Sequence, residues 1–137
     1  MTAILSLDAG SPASLGVASG STRAVLRLEG AAAFAASAAL YAHAGFAWPL
    51  FAVLFLAPDL AMLGYLTGAR NGAGAYNIAH TNALALPLAL FGLFAGQSAV
   101  LAVALIWIAH IGFDRALGYG LKYPTGFGDT HLGRIGR

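Results

Sequence analysis

The chain has 137 residues, of which 59% are hydrophobic and only 9% charged, where soluble domains carry about a quarter charged residues. That balance excludes an ordinary soluble domain and predicts one compact integral membrane domain. Cysteine is absent, which excludes disulfides, thiolate zinc sites and thiol nucleophiles. The net charge of +2 comes without a basic run, so nucleic acid is not an expected partner.

Residues 1–22 are rich in Ser, Gly and Ala and hold no Lys or Arg. They lack the positive n-region of a secretory signal and are expected to form a flexible leader. A bilayer core of about 30 Å needs roughly 20 apolar residues per helix. Four such lengths follow, near residues 24–44, 47–67, 75–95 and 98–118. Turn chemistry separates them, at His43-Ala44-Gly45 with Trp48-Pro49, at Thr67 to Gly72, and at Gly96-Gln97. The expected division is therefore a four-transmembrane-helix domain over 23–118 and a C-terminal tail over 119–137. Alternating helix directions put Arg23, Arg27, Arg70, Arg115, Lys122, Arg134 and Arg137 on one side. The positive-inside rule then places both termini in the cytoplasm. The expected fold class is all-α, an integral membrane four-helix bundle of the bacterial inner membrane. Its polar, glycine-rich tail is expected to fold back over the cytoplasmic mouth.

Three of the five acids, Glu29, Asp59 and Asp114, lie inside these apolar stretches with His80 and His110. Counted at about 1.5 Å per residue from the cytoplasmic ends, all five fall roughly 6 to 12 Å deep. His110 and Asp114 are four apart and share a helix face with Trp107, as Asn77, His80 and Thr81 do on helix three, with Tyr76 a turn earlier. Acids facing lipid cost about 2.5 to 3.5 kcal/mol at mid-bilayer, so these faces are expected to turn inward. Neutral imidazoles do not offset repelling carboxylates, whereas a divalent cation does. Carboxylate oxygen and imidazole nitrogen suit zinc, manganese or iron(II). The expected metal ligands are Asp59, His80, His110 and Asp114, with Glu29 and Asp59 as candidate proton acceptors. The expected partners are the lipid bilayer and an amphiphilic small-molecule substrate, with Asn77, Arg115, Lys122 and His131 as candidate contacts to the latter.

Other readings of the same residues stand beside this one. Glu29 also suits an interfacial acid at a helix start, and His80 and His110 also suit interhelical packing. The two histidines would equally serve a haem-binding electron-transfer protein, the polar layer a proton-coupled carrier, and its register-locking a non-enzymatic scaffold.

The segments Ala57-Pro58-Asp59-Leu60, Tyr76-Asn77-Ile78-Ala79-His80-Thr81, Trp107 to Arg115, Gly118 to Tyr123 and Asp129-Thr130-His131-Leu132 resemble the small bacterial four-helix membrane proteins grouped as domain of unknown function 4260. The likeness covers roughly residues 24 to 134 and implies a membrane location. A weaker likeness, to membrane-bound metal-dependent hydrolases, rests on Pro58-Asp59, His80-Thr81 and His110 to Asp114 in that order. This chain has one His where that pattern has two, and it lacks the second acid after Pro-Asp. That likeness implies Asp59, His80, His110 and Asp114 as the metal-facing residues.

Overall fold

The computed structural model describes residues 16–135. Most of the expected leader, residues 1–15, and Arg137 lie outside them. Among the described residues, four helical spans are long and apolar enough to cross a membrane: Gly20–His43, Trp48–Thr67, Ala69–Phe94 and Ser98–Leu117. The first helix, α1, is Gly20–His43, so residues 20–22 belong to it rather than to the leader. The last, α5, is Ser98–Leu117.

The two middle spans are not uniform α-helices. Span two opens as α2, Trp48–Leu54, and continues as a 3₁₀ helix over Ala57–Thr67. Pro58 has no N–H to give the Leu54 carbonyl, and Asp59 N–H instead reaches back three residues to the Leu56 carbonyl at 3.1 Å. The helix therefore continues in the tighter winding with three residues per turn. That spacing lines up Asp59, Met62 and Tyr65 on one edge.

Span three begins six residues before its expected start, because Gly68 alone, at φ 118°, reverses the chain. Residues Ala69–Ala79 form α3 and Asn82–Phe94 form α4. Between them the winding breaks at His80 and Thr81, and Thr81 caps α4 by accepting from the Ala83 N–H at 3.2 Å. Irregular backbone at membrane depth persists only where its polar groups find protein partners. The partners here come from α5: Trp107 Nε1 donates to the Ala79 carbonyl at 2.6 Å and the Arg115 guanidinium to the His80 carbonyl at 2.8 Å.

Among the described residues α5 contributes more buried positions than any other element, and it packs against α1, α2 and α4, while the 3₁₀ helix packs against α3. The α1–α5 contact is close because Gly30 and Gly112 face each other. A Cβ built on Gly112 would meet the Gly30 carbonyl oxygen and the Phe34 nitrogen at 2.6 Å. Gly72 is held as closely against the Tyr65 ring. Gly64 and Gly92 also sit at tight contacts, against Ala75 and Leu101, whereas Gly68 serves the turn. On the α2 side, Tyr41, Ala102, Leu105 and Ile106 form an apolar core with Phe46, Phe51 and Phe55 around it.

After α5 the chain departs from all-α. Two-residue strands β1, Asp129–Thr130, and β2, Gly133–Arg134, pair antiparallel, and Lys122 bridges to Thr130. The Asn77 side chain holds this segment to α3 at two points: its Nδ2 donates to the Lys122 carbonyl at 2.9 Å, and its Oδ1 accepts from the Lys122 N–H at 2.7 Å.

Candidate metal centre

Four side chains from three spans meet in one place. Asp59 comes from the start of the 3₁₀ helix, His80 from the break in span three, and His110 with Asp114 from successive turns of α5. One donor atom from each lies within 4.8 Å of all the others. His80 Nε2 is 3.1 Å from His110 Nε2, 3.3 Å from Asp59 Oδ1 and 3.4 Å from Asp114 Oδ2. His110 Nε2 is 3.5 Å from Asp59 Oδ1 and 3.6 Å from Asp114 Oδ2. Donors about 2.0 to 2.1 Å from a tetrahedral ion are separated from one another by about 3.3 to 3.4 Å. Five donor-to-donor distances bracket that value, so the cluster could hold one metal ion.

The surroundings set the protonation of one ring. His80 Nδ1 lies 2.9 Å from the Tyr76 carbonyl, which only accepts, so the proton sits on Nδ1 and the Nε2 lone pair faces the cluster. This is the usual arrangement behind a metal-binding imidazole. The Tyr76 ring stacks on His80 at 3.7 Å between centroids, and its hydroxyl donates to Asp114 Oδ2 at 3.1 Å. His110 packs its ring against the Phe55 edge, and its Nδ1 is buried with no hydrogen-bond partner among the described residues. Two ionised carboxylates with two neutral imidazoles would give a divalent ion two negative charges to balance.

Tyr76→Phe is expected to weaken metal binding by about 10- to 100-fold, the usual effect of removing a hydrogen bond to a ligand. It should keep the fold, since the stacked ring remains. Competition against a chromophoric chelator measures the loss.

Beside the donors lies a cavity of about 250 Å³ lined by Asp59, Met62, Tyr76, Asp114, Tyr119 and Lys122. Lys122 is buried, donates from Nζ to the Phe127 carbonyl at 2.8 Å, and lies over the Phe127 and Tyr76 rings at 3.8 and 4.7 Å. Burial pushes its ammonium below the ordinary lysine range, while the charges of Asp114 and Asp59 pull it back up.

The other residues singled out from sequence sit elsewhere. Glu29 is exposed and does not join the cluster. It lines a separate pocket with Asn82, Arg115 and His131, because α1 turns Gly30, the next residue round, toward α5. Asn77 spends its amide on the Lys122 backbone. Arg115 spends its guanidinium on the carbonyls of His80 and Tyr119. The Tyr76 hydroxyl was not foreseen as a partner of Asp114; its place one turn before His80 was the available signal.

His131 Nδ1 accepts the Leu121 N–H at 2.8 Å. Burial, and then the Arg115 charge, push this imidazole below its ordinary value of 6.5. A base with a lowered folded pKa binds protons more readily when unfolded. The stability from this contact is thus complete above pH 6.5 and declines as pH falls below it toward the folded pKa. The slope is at most about 1.4 kcal/mol per pH unit, and solvent reaching the half-buried ring keeps it smaller. Exchange of the Leu121 amide, corrected for its intrinsic rate, should therefore quicken between pH 7 and pH 5.5, and His131→Phe should abolish the pH dependence.

Two imidazoles with centroids 5.0 Å apart leave no slot for a porphyrin between them, which disfavours axial haem ligation. No curated protein and no solved structure matches the chain. Residues 23–135 match the family described as Domain of unknown function (DUF4260), and the chain belongs to that family.

Proposed function

We propose that this protein is a metal-dependent hydrolase embedded in the bacterial inner membrane, with both termini in the cytoplasm and an amphiphilic substrate. The observation that carries the reading is the spacing of the four donor atoms, five distances between 3.1 and 3.6 Å. Such spacing suits zinc, manganese or iron held by Asp59, His80, His110 and Asp114. A bound divalent ion would polarise an ester oxygen and acidify water at neutral pH. Asp59 has the most exposed side chain of the four, at 31%, and lines the cavity, which suits it to take a proton from entering water. The Lys122 ammonium in the same cavity suits an anionic group on the substrate.

The orientation is supported by the seven basic residues, which all belong to one end when the spans alternate. A carrier needs a polar path through the far half of the bundle. Tyr41, Ala102, Leu105 and Ile106 fill that half, and the Tyr41 hydroxyl is already spent on the Ala47 carbonyl.

Elemental analysis of detergent-purified protein tests the metal, with about one zinc, manganese or iron ion per chain expected. Folded wild-type protein that stays metal-free after exposure to each ion would overturn the reading. Release of product from ester lipids by loaded protein, stopped by a chelator, tests the reaction.

A further inference from the structure

The donor layer separates an almost wholly apolar groove from a cavity that also carries the charged side chains of Asp59, Asp114 and Lys122. Along span two, Leu54, Ala57 and Pro58 line an apolar groove of about 220 Å³, and the next residues, Asp59 and Met62, line the polar cavity. Along α5 the order is the same. Val103, Ile106 and Trp107 line the groove, and Asp114, with Tyr119 just past the helix end, lines the polar cavity. α3 returns after the Gly68 turn and contributes in the reverse order, Tyr76 to the cavity and then Ala79 to the groove. Three elements thus agree that the groove lies toward the bilayer interior and the polar cavity toward the surface bearing the tail.

We propose that groove and cavity together bind one molecule, a membrane lipid with an anionic head group and a hydrocarbon chain. The chain occupies the groove, the head group meets Lys122, and the junction between them lies at the four donors. This assignment rests on the hydrolase reading and names its substrate class. A lipid of the tail-side leaflet directs its chain to the midplane and its head to the surface, the same order as the two cavities. At that depth an open apolar groove has hydrocarbon as its available occupant. The groove exceeds the roughly 150 Å³ at which an apolar cavity admits benzene. Its Trp107 wall is fixed by the indole bond to the Ala79 carbonyl, so little ordering is required on binding. At the other end, one Lys122 proton goes to the Phe127 carbonyl, and an ammonium has three.

Trp107 and Trp48 are the two tryptophans, so Trp48→Phe makes Trp107 the sole emitter. In that background, a single-chain phosphatidate with a brominated chain is titrated in vesicles of unlabelled phosphatidylcholine. Saturable quenching of Trp107 is expected at a mole fraction about tenfold below that for the zwitterionic single-chain analogue, as one charge-assisted hydrogen bond allows. Ala57→Phe and Val103→Phe, filling the groove from opposite walls, should each raise the half-saturation point about tenfold while leaving metal content unchanged. Lys122→Met should remove the preference for the anionic head. Quenching that grows linearly with mole fraction and is the same in both groove variants would reduce the groove to ordinary lipid contact and overturn the proposal. The outcome is independent of the metal. Saturable quenching in a protein that never takes up metal would keep the lipid site and sink the hydrolase reading, whereas stoichiometric metal without saturable quenching would do the reverse.

Discussion

Replacing His110 with alanine is expected to weaken metal binding more than about 100-fold. Changes to groups that only orient a ligand already cost 10- to 100-fold, and this substitution removes one of four donors outright. The remaining three cannot close a tetrahedron, and where the ion is lost Asp59 and Asp114 repel each other uncompensated. Because an ion that binds the folded chain stabilises it by mass action, roughly 4 kcal/mol at a thousandfold excess over Kd, the variant should also unfold earlier. A chelator should lower the melting temperature of the wild type and leave that of His110→Ala unmoved. Equal responses to the chelator in the two proteins would show that the histidine is not a ligand. His80→Ala should behave alike, with the added loss of the Nδ1 bond to the Tyr76 carbonyl.

The second large effect is expected from Gly112→Leu. Overpacking a core commonly costs about 1 to 3 kcal/mol when side chains can shift. At Gly112 the atoms in the way are backbone, the Gly30 oxygen and the Phe34 nitrogen at 2.6 Å, so α1 and α5 must part. The loss should exceed that range in thermal unfolding. Metal binding should fall with it, since His110 and Asp114 flank Gly112 on the same helix. Gly74→Ala provides the contrast. Nothing lies within 4 Å of an added Cβ there, and the change should stabilise α3 by up to about 1 kcal/mol through helix propensity.

The four spans were legible in the sequence because length and apolarity are properties of each segment alone, and the third departed only where a single glycine sufficed for a six-residue turn. The winding inside the spans was not legible. The break at His80 and Thr81 persists because Trp107 and Arg115, distant in sequence, satisfy the freed carbonyls. Pro58 signalled a disturbance in span two but not its 3₁₀ form. Depth along a helix likewise gave only half of each side chain's position. The i, i+4 spacing fixed His110 and Asp114 on one face, and Asp59 and His80 lie at the depth that lets them meet those two. Glu29 lies at a similar depth but on an outward edge, and depth carries no information about direction round the axis. Asn77, Arg115 and Lys122 are candidate substrate contacts by their polarity and position in the sequence. Their hydrogen bonds to backbone groups depend on how the tail packs, which no local pattern encodes.

The column formed by Asp59, Met62 and Tyr65 ties the donor cluster to the tail mechanically. Asp59 supplies a donor at one end of the column, and Tyr65 meets the Phe127 ring, 5.3 Å between centroids, at the other. Six residues complete two whole turns in 3₁₀ winding, whereas in α winding the same six leave Tyr65 rotated about 120° from Asp59. If this stretch rewound, it would have to surrender either the donor or the ring contact. Loading of an ion is therefore expected to be coupled to seating of the C-terminal segment, and proteolytic sensitivity near Phe127 should report on occupancy some distance away.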